Sequence, residues 1–202
     1  MKNSLVFIFI TEIFALFFLT IMIFNYNNID LLAFADVTIL EALDYEYVII
    51  GTDVKDRLSG SNSEDIILGL QGNDRIKGKG SSDYIDGGEG KDRIEGNNGN
   101  DEIFGNSGSD LIEGNGGSDY IDGYTADDII QGNSGNDWLD GGSGHDLLIG
   151  GSGDDVLWGK SGKDILIGGP GADEFHCGKG FDIILDYNRS QGDTKSSNCE
   201  VF

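Results

Sequence analysis

Large apolar side chains return at every ninth residue along most of the chain: Leu58, Ile67, Ile76, Ile85, Ile94, Ile103, Ile112, Ile121, Ile130, Leu139, Leu148, Leu157, Leu166, Phe175 and Ile184. Two residues before each stands an aspartate, from Asp56 to Asp182. Five residues before each aspartate stands a glycine, with Cys177 the single exception. A nine-residue period with one inward position fits neither a helix nor a self-contained hairpin, because such a unit cannot bury its own apolar residue. Successive units can do so together if they coil and stack, each strand hydrogen-bonding to the next. The short segments around each apolar residue are therefore predicted to be parallel strands with the glycine-rich stretches as turns. The strand residues on either side of the apolar one point outward.

The flanks of this array differ from it. Residues 1–35 carry Lys2, a largely apolar run from Leu5 to Phe24, and Ala33-Phe34-Ala35, a small-x-small site, which together read as a secretory signal peptide. The run is long enough for an uncleaved membrane anchor, but Glu12 in its middle is costly in a permanent span and favours cleavage. Either way the array is expected to be extracellular. Residues 36–50, "DVTILEALDYEYVII", are expected to cap the first coil with a strand or two, and 186–202 are left as a C-terminal tail. The domain reading is thus signal or anchor 1–35, cap 36–50, array 51–185 and tail 186–202.

Composition sharpens this picture. The chain of 202 residues has 33 glycines and a single proline, and a formal charge of −23 from 36 acidic and 13 basic residues. That charge repels nucleic acid and favours cations as partners. Only two histidines, His145 and His176, are present and no serine lies in a nucleophile elbow, so no catalytic activity is expected. A row of threonines for an ice-binding surface is absent as well, the turns offering only Thr52 and Thr125.

"GGSGHDLLI" (141–149) and "GGSGDDVLW" (150–158) carry the resemblance that ties these features together. They match G-G-x-G-x-D-x-U-x, and the array from about 51 to 185 resembles the RTX, or haemolysin-type, calcium-binding nonapeptide repeats, a parallel β-helix repeat. The resemblance implies an all-β fold, a β-roll with two units per coil and multiple Ca2+ ions held between neighbouring turns on each flank. Aspartates 18 apart would then stack, eight on one flank and seven on the other, allowing up to thirteen shared sites with the terminal ones least secure.

The implied metal ligands are Asp65, Asp74, Asp83, Asp92, Asp101, Asp110, Asp119, Asp128, Asp137, Asp146, Asp155, Asp164 and Asp173. With them go the turn glycines Gly87, Gly90, Gly96, Gly99, Gly105, Gly108, Gly114 and Gly117, then Gly132, Gly135, Gly141, Gly144, Gly150, Gly153, Gly159, Gly162, Gly168 and Gly171. Calcium is a hard cation that takes six to eight oxygens, and glycine lets a turn aim several carbonyls at one point. The first turn, "GTDVKD" (51–56), is excluded because the β-branched Val54 resists a tight or left-handed conformation. Serine or alanine replaces the second glycine at Ser63, Ser81 and Ala126. Without metal, like charges about 4.8 Å apart repel by roughly 0.9 kcal/mol even in water. Thirteen such neighbours total on the order of 10 kcal/mol, the stability of an ordinary domain, so the metal-free chain is expected to be disordered.

Cys177 and Cys199 are expected to form a disulfide in an exported chain, two free thiols being the alternative. Sorting outward positions by flank puts aliphatic Leu147, Ile149, Ile165, Ile167, Ile183 and Leu185 on the C-terminal half of one sheet, a candidate surface for self-association or docking. This allows a structural or adhesive module in which calcium only stiffens the rod. The other sheet directs Tyr84, Phe104, Tyr120, Trp138 and Trp158 outward, a weaker pointer to carbohydrate.

Overall fold

The computed structural model describes residues 47–201, and these form a parallel β-solenoid of two nine-stranded sheets and no helix. The expected signal or anchor and residues 36–46 of the expected cap lie outside the described residues. The first sheet comprises Tyr47–Ile50, Asp65–Leu68, Tyr84–Asp86, Glu102–Phe104, Tyr120–Asp122, Trp138–Asp140, Val156–Trp158, Glu174–His176 and Thr194–Lys195. The second comprises Arg57–Ser59, Arg75–Lys79, Arg93–Asn98, Leu111–Gly116, Ile129–Ser134, Leu147–Ser152, Ile165–Ile167, Ile183–Ile184 and Glu200–Val201. The chain alternates between the two, so each coil uses two nonapeptides. Nine parallel strands at about 4.8 Å give a rod roughly 38 Å long.

Register follows the period. Ile103 pairs with Ile85 and Ile121 on the first sheet, as Ile112 pairs with Ile94 and Ile130 on the second. Every strand centre from Ile67 to Ile184 is shielded from solvent, and these residues form one thin ladder of core between the sheets. Alternation of buried and half-open residues along the strands is what a pleated strand with one covered face requires. A short third sheet, Ser143–Gly144, Ser161–Gly162 and Lys179–Gly180, joins turns on one flank. Isolated bridges continue that row through Gln71, Glu89, Ser107 and Thr125.

The roll runs past both bounds suggested by the repeat. Tyr47–Ile50 is a full member of the first sheet, with Ile49 opposite Ile67. At the other end the tail adds one strand to each sheet: Thr194 pairs with Glu174, and Glu200 with Ile183. These partners lie 20 and 17 residues apart instead of 18, which is why the nonapeptide spacing conceals them. The disulfide Cys177–Cys199 fastens this last coil, with both cysteines inside the core and Tyr187 packed edge-on to Phe175.

Outside the core, the aliphatic residues on the second sheet stand as a group. Ile165 and Leu185 are exposed, as is Ile129, while Leu147, Ile149, Ile167 and Ile183 are half-buried. The N-terminal half of the same face carries Arg57, Arg75 and Arg93, the last paired with Glu95 and Glu113.

Candidate metal centre

Each repeat turn is shaped around positions that a side chain would obstruct. In "GNGGSD" (114–119), Asn115 and Gly117 both take positive φ, 82° and 128°. A Cβ on Gly117 would meet the carbonyl oxygen of Gly99, one coil below, at 1.8 Å. The first glycine has a different reason: a Cβ on Gly114 would lie 2.2 Å from Oδ2 of Asp119 and 3.1 Å from the carbonyl oxygen of Gly132. A carboxylate oxygen from within the turn and a carbonyl oxygen from the next coil therefore border the same side-chain-free space.

The aspartates divide their two oxygens. Oδ1 of Asp74 accepts the backbone N–H of Asp56 at 2.7 Å, and the same bond joins each later aspartate to the one 18 residues before it up to Asp182, at 2.7–3.0 Å. Among the described residues, Oδ2 of every one of these aspartates from Asp74 to Asp182 is buried and has no hydrogen-bond partner. A buried unpaired carboxylate oxygen is costly, and here the cost recurs in two long rows, one on each flank. Burial accordingly pushes the carboxyls up: Asp83, Asp110, Asp119 and Asp146 to about 7, Asp128 to about 8, and Asp92, Asp101, Asp137, Asp155, Asp164 and Asp173 to about 6. Asp74 moves the same way, again chiefly through burial. Repulsion from the aspartate in the adjacent coil adds to the effect at Asp92, Asp110, Asp119 and Asp128.

Rows of hard anionic oxygens without partners fit a hard divalent cation. Among the described residues no three acidic, histidine or cysteine side chains gather around one point. Backbone carbonyls must therefore complete any coordination shell, and Ca2+ accepts carbonyl oxygens readily. The expected glycines and aspartates are thus brought to the same turns, and the donor set fits the ion.

The two N-terminal turns are built otherwise. Oδ2 of Asp56 accepts from the N–H and hydroxyl of Thr52, and Oδ2 of Asp65 accepts from the N–H and hydroxyl of Ser61. Neither Val54 nor Ser63 adopts positive φ, whereas Ser81 and Ala126 do, at 67° and 82°. A β-branched residue at position 54 and serine or threonine after the first glycine divert these carboxylates into their own turns. Asp65 nevertheless retains one buried oxygen, Oδ1, without a partner.

Two further carboxylates, Asp182 and Asp193, continue the rows, and a third, Asp186, binds the backbone beside them. Asp182, at the end of the periodic series, has the same divided carboxylate as its predecessors. Asp193 in the tail accepts the N–H of Asp173, taking the place of the next aspartate, and Asp186 accepts from the N–H groups of Gly168 and Gly169. Asp193 lies 20 residues after Asp173, so no nine-residue count reaches it. Its second oxygen is bonded to the N–H of Asn188, which closes the row with a protein donor.

No curated protein matches the chain. The family model of the RTX calcium-binding nonapeptide repeat does match, in overlapping stretches at 50–85, 59–94, 77–112, 95–125, 113–148, 122–157 and 149–184. These stretches run from 50 to 184 and cover the turns whose carboxylates from Asp74 to Asp182 are left unpaired, and the chain belongs to the RTX calcium-binding nonapeptide repeat family.

Proposed function

We propose that the protein is an extracellular, non-catalytic calcium-binding module that orders its β-roll as several Ca2+ ions enter the two carboxylate rows. The observation that carries this reading is the repeated buried Oδ2 without a partner, from Asp74 to Asp182. An ion shared by successive turns removes their mutual repulsion and satisfies the orphaned oxygens, so that binding free energy becomes folding free energy. Extracellular calcium is millimolar, the range in which modules of that compartment bind. The test is far-UV circular dichroism of the chain as calcium is titrated from chelator to about 10 mM, with magnesium as the control. A cooperative rise of β-signal with calcium alone is expected. A spectrum already β-rich in chelator would overturn the folding role.

A second reading rests on the exposed aliphatic face around Ile129, Ile165 and Leu185. There the roll is an adhesive or structural module, calcium stiffens it, and the second sheet makes the contact. Sedimentation in calcium separates the two readings: a strictly monomeric profile removes self-association through that face.

A further inference from the structure

The outer face of the first sheet carries a row of rings that the calcium reading does not use. Ring centroids run from Tyr84 to Phe104 at 5.4 Å, Phe104 to Tyr120 at 6.1 Å, Tyr120 to Trp138 at 6.4 Å and Trp138 to Trp158 at 5.9 Å. Carboxylates are interleaved with them, and Asp122 stands directly across from Asp140 in the strand register. Like charges in such a pair repel, so the arrangement favours any cation placed between them and the rings.

One end of the row already holds an ammonium group in this way. Lys160 places Nζ 4.6 Å from the centre of the Trp158 ring and 3.0 Å from Oδ2 of Asp140. One coil earlier the carboxylate is Asp122, but the residue 18 before Lys160 is Gly142, which has no side chain to offer. Asp122 accepts the N–H of Tyr124 through Oδ1 at 2.9 Å, and Lys160, whose ion pair is with Asp140, reaches Asp122 only through its longer-range field. The rings around it are open: Tyr120 is 39% exposed, Tyr124 45% and Trp138 42%.

We infer that Asp122, with Tyr120, Tyr124 and Trp138, forms a docking site for the ammonium or guanidinium group of a basic polypeptide, in the place that Lys160 fills one coil further on. A cation there gains a charge-assisted hydrogen bond and the electrostatic attraction of aromatic faces. The formal charge of −23 draws a basic partner in the same direction, and Glu102, exposed and in register with Tyr120, adds to the local field. The site lies on the sheet's outer face and uses none of the turn aspartates.

The test is binding of hexalysine to the calcium-loaded full chain, followed by isothermal titration calorimetry and by tryptophan fluorescence. Fully acetylated hexalysine serves as the uncharged control and cellohexaose as the competing ligand class. Hexalysine is expected to bind, and both Asp122→Asn and the double change Tyr124→Ala with Trp138→Ala to weaken it at least about tenfold. Glu64→Gln, which removes one exposed charge from a distant turn, is expected to leave binding within about twofold. Equal losses in Asp122→Asn and Glu64→Gln would reduce the effect to net charge and overturn the proposal. So would indifference to ring removal, or binding of cellohexaose in place of hexalysine. Circular dichroism in the same buffer keeps the two readings apart: loss of β-signal faults the calcium reading, whereas intact β-signal without binding faults this one.

Discussion

Replacing Asp137 by asparagine separates a carboxylate that serves a cation from one that only caps a turn. Oδ1 of Asp137 accepts the N–H of Asp119 at 2.8 Å, a bond an amide oxygen can reproduce in the same shape. Oδ2 is buried without a partner, and burial holds the carboxyl at about 6 against an ordinary 3.8. At pH 7.5 keeping that group ionised costs the folded, metal-free state about 3 kcal/mol. Asparagine removes the cost but buries an amide N–H₂, which returns about 1–2 kcal/mol of it. In chelator Asp137→Asn is therefore expected to stabilise the roll by roughly 1–2 kcal/mol. In calcium the sign reverses: the bound ion loses an anionic ligand in a buried site, a loss of about 3 kcal/mol or more. The assay is the midpoint of osmolyte-driven folding in chelator, compared with the urea midpoint in about 10 mM calcium, both read by circular dichroism. Effects of the same sign in both media would refute the reasoning. Destabilisation in both would make the carboxylate structural, and stabilisation in both would mean that no cation uses it.

Acid should substitute for metal. Folded-state values of about 6 to 8 lie above the unfolded 3.8, so the folded roll binds more protons, and its metal-free stability is full below about pH 4 and lost as pH rises through 6 to 8; β-signal in chelator from pH 4 to 8 checks this, and a rise with pH would contradict it. Gly117→Ala is expected to cost several kcal/mol, because its Cβ would meet the Gly99 oxygen at 1.8 Å with φ at 128°. Gly116→Ala, whose nearest neighbour is 3.6 Å away, is expected to be tolerated, so equal urea midpoints for the two would rule out this geometric account of the turn. Ile121→Ala removes a fully buried rung and should cost about 2–5 kcal/mol in calcium, measured by urea denaturation. Reducing Cys177–Cys199, whose separation is 22 residues, should cost about 3 kcal/mol and release Thr194–Lys195 and Glu200–Val201 first, read as faster amide exchange in those strands.

The nine-residue period specifies the core rungs from Leu58 to Ile184 and the short strands around them, while the alternating flanks of aspartates come from the two-unit coil that the RTX resemblance implies. It can do so because a solenoid repeats one local environment, and each unit states its own inward residue and its own turn. The departure of the first turn's backbone is local in the same way, since Val54 does not take the left-handed conformation that Gly72 and most of its successors adopt. What the period cannot express is how one unit meets the next. The division of each carboxylate between the neighbouring coil's N–H and a buried space without partners emerges only when turns 18 residues apart are stacked. Diversion of Asp65 toward Ser61 likewise depends on which donors lie within reach. The tail shows the limit most clearly. Asp193 closes a row and Thr194 extends a sheet at spacings of 20 residues, and Glu200 does so at 17. Those pairings follow from closing the end of the roll around Cys177, Cys199 and Tyr187, a packing requirement of the assembled core that no repeat length encodes.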